Sequence, residues 1–346
     1  MFRTAVRLAA SSANYTGATG RSYAFKQLIQ ERPYIGRVWL ARSACPSLSF
    51  VLIIWLRIRR SDEENFILKD IPENMFTAFE SGTRAQIKAS PYLRLPIDSI
   101  PSQRIFVYRF FTEDFLTLVK NQIPLKGRKE ILKSSLQGLV DLHAQDVVHL
   151  DVKPDNVMVD IHGSGSELVV EKAQLTDLEN AAYLPKGRCI KGMLPGNDNW
   201  RSPEGHLRGE LNKPTDIFSF GAMCIYAVLG RVIFGPDEGM RKFTDQGALA
   251  SMVRLQRQVS YFSDRDGING LLTHVGDDEL SLQLLSNAYD GKDDDDLGYK
   301  HFSTWPEIKD DSFKDLVLSM MSLDPKRRIT AKQALEHPWF ESVQLR

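Results

Sequence analysis

Within the octet His149-Leu150-Asp151-Val152-Lys153-Pro154-Asp155-Asn156 the chain places a carboxylate, an ammonium two residues later and a carboxamide five residues later. The apolar run Val157-Met158-Val159 follows, so the pattern reads as a tight polar loop feeding a short strand. These residue types suit charged chemistry. A carboxylate can take a proton from a hydroxyl, an ammonium can offset developing negative charge, and amide and carboxylate oxygens are hard ligands for a divalent cation. A further acid, Asp177, comes after the turn His162-Gly163-Ser164-Gly165-Ser166 and the segment Gln174-Leu175-Thr176. Each residue also has an ordinary explanation, Asp177 as a turn or helix-capping acid after a strand and Asn156 as a turn residue. For either alone that explanation wins; with both at this separation across a hairpin it becomes the minority case.

The octet resembles the catalytic loop of protein kinases, and three later stretches carry the same resemblance. Asn199-Trp200-Arg201-Ser202-Pro203-Glu204, with Gly196 before it, is similar to the end of a kinase activation segment. Asp216-Ile217-Phe218-Ser219-Phe220-Gly221 and the apolar residues up to Leu229 resemble the central helix of the kinase large lobe. Leu323-Asp324-Pro325-Lys326-Arg327-Arg328-Ile329-Thr330-Ala331 and His337-Pro338-Trp339-Phe340 resemble the family's C-terminal signature. The family is the eukaryotic protein kinase superfamily, serine/threonine type, and the resemblance covers about Tyr23 to Phe340. It implies that Asp151 accepts the proton of the attacking hydroxyl and that Lys153 contacts the transferring phosphoryl group. Asn156 and Asp177 would hold Mg2+. It also implies a structural pair between Glu204 and Arg328.

The elements that must hold ATP above this loop are less regular. Phe25–Ile29 and Arg37–Ala41 read as two short strands around a turn, matching a nucleotide-covering hairpin in which only Gly36 and Val38 of the glycine-rich pattern remain. Phe66-Ile67-Leu68-Lys69 resembles the strand that carries the phosphate-binding lysine, Lys69, and Ile67 in place of the usual Ala is expected to narrow the adenine slot. One amphipathic helix is expected between Pro72 and Ala89, with Met75, Phe76, Phe79 and Ile87 as its apolar positions and Glu80 as the partner of Lys69, although Gly82 interrupts it. Tyr92–Pro96 and Ile105–Phe110 read as strands, with Phe110-Phe111-Thr112 as the hinge. A helix from about Arg128 to Ala144, with Ile131, Leu132, Leu136, Leu139, Val140 and Leu142 on its apolar face, delivers the chain to the catalytic loop.

Two departures bear on control. Leu150 replaces the Arg of His-Arg-Asp, which removes the usual partner of a phosphorylated activation-segment residue. Asp177-Leu178-Glu179 replaces Asp-Phe-Gly, and without that Gly a backbone flip is restricted. Asn197 stands where Thr is usual, with a side-chain amide able to bond to Asp151 and Lys153.

Composition sets outer bounds. Lys+Arg and Asp+Glu both number 44 in 346 residues, so no global field points to nucleic acid or to an anionic membrane. Cys45, Cys189 and Cys224 lack metal-site spacing and cannot build a disulfide framework. The run Phe50–Leu56 is too short to cross a membrane. The first thirty residues contain no Asp or Glu but carry Arg3, Arg7, Arg21 and Lys26, the composition of a mitochondrial presequence or of an ordinary basic tail. An intracellular site, cytoplasmic or mitochondrial, is expected. Asp293 to Asp296 reads as a solvated loop, with a docking site for basic partners as the other reading.

Together these features lead to an α+β, bilobal protein kinase-like fold. A leader or tail over residues 1–22 would precede a kinase domain at 23–340, with an N-lobe at 23–111 interrupted by an insertion at 42–65 and a mostly helical C-lobe at 112–340. The expected activity is ATP- and Mg2+-dependent transfer to serine or threonine hydroxyls of a protein substrate, without control by activation-loop phosphorylation. The alternatives are a pseudokinase acting as a scaffold and, against the C-terminal motifs, a small-molecule phosphotransferase.

Overall fold

Side-chain alternation organises the N-terminal strands. Phe66 and Leu68 point into a cluster with Tyr23, Ala41, Ile100, Ile105 and Val107, so Ile67 and Lys69 take the opposite face of their strand. The computed structural model describes residues 14–32, 36–44, 64–292 and 298–345. Two compact units result, one from Met1–Ser81 and Arg94–Phe110, the other from Gly82–Leu93 and Phe111–Arg346. Residues 1–13 of the basic start, Pro33–Ile35, the centre of the insertion (45–63), 293–297 and Arg346 lie outside the described residues.

The N-terminal unit is a six-stranded antiparallel sheet. Its strands are β1 (Asn14–Thr16), β2 (Ser22–Arg32), β3 (Gly36–Ala44), β4 (Asn65–Asp70), β5 (Asp98–Ile100) and β6 (Ile105–Arg109), in the order β1-β2-β3-β4-β6-β5. The sheet starts before the expected boundary at Tyr23, because β1 pairs with the start of β2. The connection that follows β1 is tied down by Asp98. Its carboxylate accepts from the Thr19 backbone N–H, the Thr19 hydroxyl and the Tyr23 hydroxyl at 3.0, 2.6 and 2.8 Å. β3 and β4 also reach into both ends of the expected insertion, where Ser43 N donates to Glu64 O.

The expected single helix after Pro72 is broken. It forms α1 (Glu73–Ala78), a π turn over Phe79–Thr83 and α2 (Arg84–Gln86). Ser81, Gly82 and Thr83 are poor helix formers, and the wider turn still buries Phe79 against Phe106. Tyr92–Pro96 is not a strand. Leu93 makes one isolated bridge to Leu175, and the edge strand is β5 instead.

The larger unit is mostly helical. β7 (Glu113–Asp114) leads into α3 (Phe115–Lys120), capped by the Asp114 carboxylate, and then α4 (Leu125–His143). Ile131, Leu132, Leu136, Leu139 and Leu142 of α4 are fully buried. After β8 (Val147–Val148), the hairpin of β9 (Val157–His162) and β10 (Val169–Leu175) turns through Gly163, and β11 (Ala182–Tyr183) pairs back on β8. α5 (Pro203–His206) precedes α6 (Lys213–Leu229), whose residues from Thr215 to Ala227 are all buried, the mark of a helix at the centre of a core. The chain continues through α7 (Glu238–Thr244), α8 (Ala250–Phe262), α9 (Arg265–Val275), α10 (Glu279–Asp290), α11 (Asp311–Met320), which packs on α6, and α12 (Ala331–Leu335), which packs on α4. Among the described residues no helix is long and apolar enough to cross a membrane.

Candidate active site

The loop between β8 and β9 is set by a buried carboxylate beneath it. Asp216, in the first turn of α6, accepts from the backbone N–H groups of His149 and Leu150, each at 2.8 Å, and lies 2.9 Å from His143 Nε2. Those two backbone bonds hold Leu150 in the left-handed region, at φ 66°, a conformation that costs a branched side chain about 1–2 kcal/mol when nothing compensates. His149 braces the other side. Its Nε2 donates to Thr176 O at 2.9 Å, which leaves Nδ1 to accept from Asp151 N at 3.3 Å.

Thus positioned, Asp151 is surrounded by donors. Lys153 Nζ is 3.0 Å from its Oδ2, the Asn156 amide nitrogen donates to the same oxygen at 3.1 Å, and the Asn197 backbone N–H donates to Oδ1 at 3.0 Å. Burial pulls the Lys153 pKa down, but Asp151 and Asp155 more than offset this and hold the ammonium above its ordinary value. Lys153 is therefore a fixed cation beside the carboxylate at neutral pH. The expected side-chain role of Asn197 is not what the structure has. Its carboxamide oxygen accepts from Asn199 N at 3.0 Å, and the backbone makes the contact to Asp151 instead. The close approach depends on Gly196, at φ 70°, where an added Cβ would sit 2.5 Å from Leu150 O.

Hairpin register brings Asn156 and Asp177 to the same end of β9 and β10. Val157 pairs with Leu175, and Thr176 N donates to Asn156 O at 3.0 Å, so Asp177 follows directly beyond Asn156. Asp177 takes the left-handed conformation at φ 66°, which Asp tolerates better than most residues, and opens a 3-10 turn over Leu178–Asn180. The donor set fits Mg2+. The Asn156 nitrogen is committed to Asp151, which leaves its amide oxygen and the Asp177 carboxylate as hard ligands. Among the described residues no group of three or more His, Cys, Asp or Glu forms a closed metal cage. Mg2+ takes few protein ligands and completes its shell with phosphate and water. Bound there it would neutralise phosphate oxygens.

The segment that follows is held by arginines. Arg201 donates to the carbonyls of Pro195, Leu194 and Gly196 and pairs with Asp198. From α8, Arg254 reaches Asn199 Oδ1 and Gln258 donates to Arg201 O. Sequence reading assigned these residues no role; the available signal was three polar residues, Arg254, Arg257 and Gln258, at buried positions of an amphipathic helix. Farther out, Arg328 makes a bidentate, fully buried pair with Glu204 at 2.7 and 2.8 Å.

The remaining candidates lie in the N-terminal unit. Val38 and Lys69 are register partners and share one face of the sheet. Gly36, at φ 124°, packs so closely on Asp70 that a Cβ would fall 2.0 Å from the Asp70 carbonyl oxygen, and Arg37 donates to the Asp70 carboxylate through its backbone and side chain, each at 3.1 Å. Glu80 is not brought to Lys69. It is exposed in the π turn and makes no ion pair among the described residues, because the break at Ser81–Thr83 turns that position outward.

Comparison with known proteins decides the family. A family model described as "Protein kinase domain" matches residues 100–340, more than half of the chain. The chain belongs to the protein kinase domain family. Its relatives include the Caenorhabditis elegans serine/threonine-protein kinase/endoribonuclease ire-1, 27% identical over 218 residues, which cover 61% of this chain and 17% of that protein. Human dual specificity tyrosine-phosphorylation-regulated kinase 3 is 28% identical over 225 residues, 61% of this chain and 36% of the relative. Arabidopsis thaliana calcium-dependent protein kinase 19 is 24% identical over 214 residues, 62% and 29%. The chain thus spans well under half the length of each of these proteins. The kinase domain has the α+β fold expected from its sequence, and its family uses ATP and Mg2+ and acts on protein substrates. The match begins at Ile100, so Gly36, Val38, Lys69 and Glu80 fall before it.

Proposed function

We propose that this kinase domain transfers the γ-phosphate of ATP to serine or threonine hydroxyls of a protein. One observation carries the reading: Asp151 is oriented by Asn156 and Asn197 and pressed against the fixed cation Lys153. In that arrangement Asp151 would accept the hydroxyl proton, and Lys153 would offset the charge of the phosphoryl group in flight, a transfer in which positioning and electrostatics dominate. Asn156 and Asp177 would hold Mg2+, and Lys69 the phosphates.

We further propose that activity does not depend on phosphorylation of the activation segment. Leu178–Arg201 contains no serine or threonine, and Tyr183 is its single hydroxyl. Its order comes from backbone bonds, Leu184 N to Asp146 O at 2.7 Å and Gly192 N to Arg208 O at 2.9 Å, and from the Arg201 clamp. A scaffold without catalysis remains the second reading, favoured by the outward position of Glu80.

The test is transfer of ³²P from labelled ATP to peptides and to the protein itself. Wild type is expected to transfer, Asp151→Asn to fall by about 10²–10⁴-fold, and Asp177→Asn to fall with loss of Mg2+ dependence. Prior phosphatase treatment is expected to leave the rate unchanged. No transfer from wild type, together with no Mg2+-ATP thermal shift, would establish the scaffold instead.

A further inference from the structure

A peptide whose hydroxyl reaches Asp151 passes the exposed surface beside it. The segment contacting Asp151 through Gly196 and Asn197 supplies that surface. From Asn180 to Asn197 it contains Lys186, Arg188 and Lys191 and no Asp or Glu. All three cations are exposed. Lys191 lies 3.7 Å from Glu210, whereas Lys186 and Arg188 form no ion pair among the described residues. The backbone around them is fixed on the stretch that precedes α6: Asn212 Nδ2 donates to Arg188 O at 2.7 Å, and Ile190 bridges to Leu211.

Glu210 offsets Lys191, but the carboxylates close to the reactive loop are committed elsewhere and leave Lys186 and Arg188 uncancelled. Asp198 pairs with Arg201 and Arg254, and Asp155 lies 3.6 Å from Lys153. Between the cations and Gly196 come two large apolar side chains facing solvent, Met193 at 60% and Leu194 at 44% exposure. Along one segment that ends at the reactive carboxylate, two unpaired cations, Lys186 and Arg188, are followed by two exposed apolar residues, a surface of mixed character with one complement.

We infer that residues 186–194 select acidic peptides, with Lys186 and Arg188 recognising Asp or Glu and Met193 and Leu194 taking an apolar side chain beside the acceptor. The inference rests on Asp151 as the group that receives the acceptor hydroxyl.

Binding and catalysis are measured separately so that the two readings fail differently. Fluorescent peptides with one Ser followed by Leu, flanked by Glu, by Gln or by Lys, are titrated with the full chain and followed by anisotropy. The Glu peptide is expected to bind about five- to tenfold more tightly than the Gln peptide at low salt, the sum of a few surface charge contacts. The advantage should shrink as salt screens it. Lys186→Glu combined with Arg188→Glu is expected to abolish the advantage while the Gln peptide still binds, and Met193→Asp to weaken every peptide. In the phosphotransfer assay kcat/KM is expected to follow the same order. If no peptide is phosphorylated but the charge-reversible Glu preference persists in binding, the kinase reading fails and the recognition surface stands. Equal affinity for Glu and Gln peptides overturns the inference, as does a Glu preference that survives the double reversal. It is overturned equally if the reversal abolishes binding to phosphatidylserine vesicles and leaves peptide affinity unchanged, since the cations then serve a membrane.

Discussion

Leu150 shows how much of this site rests on one backbone conformation. It occupies the left-handed region because Asp216 accepts both its N–H and that of His149, and this turn places Asp151 where Lys153, Asn156 and Asn197 converge on it. Gly196 supplies the other half of the fit, since its positive φ and missing side chain let the chain pass Leu150 O and the Asp151 carboxylate. Gly196→Ala therefore forces either the loop or the carboxylate to move. Strain of about 1–3 kcal/mol is expected from the backbone alone. The expected outcome is a drop in kcat of at least about tenfold, with KM for ATP little changed, read by steady-state phosphotransfer.

At the scale of elements, α5 connects the activation segment to the core through a titratable group. His206 stands at the C-terminal end of α5 with a buried Nε2 that has no hydrogen-bond partner among the described residues. Burial first, and then the charge of Arg201, push its pKa down from 6.5 to about 4. The unfolded chain therefore takes up a proton that the folded chain refuses. Stability is expected to be fully present above pH 6.5 and to be lost progressively as pH falls toward 4. In His206→Gln that loss disappears, so the difference in Tm between pH 7 and pH 5, measured by circular dichroism, is expected to narrow. A gap as wide as that of wild type would assign the acid sensitivity to other groups.

For the molecule as a whole, the large unit is tied together by a pair far apart in sequence. Glu204 and Arg328, 124 residues apart, make a bidentate contact with no exposure to solvent, and Arg328 also donates to Pro214 O and Ser322 O and lies over the Phe218 ring. Burial alone would raise the Glu204 pKa, yet Arg328 holds it below the ordinary value, so the buried carboxylate stays charged. Removing one partner leaves the other buried without compensation. Glu204→Gln is expected to cost about 3–5 kcal/mol, while Glu204→Met combined with Arg328→Met is expected to recover much of that loss, both read from thermal unfolding of the full chain. Equal losses in the single and double variants would show that packing, not charge, dominates there.

The large unit was legible in the sequence because its chemistry uses polar residues at short, fixed separations. Asp151, Lys153 and Asn156 lie within six residues, and a hairpin whose register follows from its turn and alternation carries the chain to Asp177. Glu204 and Arg328 were legible only through the motifs that carry them, because their pairing across 124 residues was what the family resemblance implied. What the sequence could not decide was set by contacts between distant segments. The π turn at Phe79–Thr83, which faces Glu80 outward from the strand of Lys69, depends on how Phe79 packs against Phe106. The backbone of Asn197 reaches Asp151, rather than its amide, because Arg201, Arg254 and Gln258 grip the segment from outside it. Leu150 could be read as the loss of a cation, but only the tertiary structure shows what holds its strained backbone instead: a carboxylate 66 residues away, at the start of the central helix. Local patterns specify which groups are present and which face of a strand or helix they occupy. Their final orientation comes from long-range hydrogen bonds and packing.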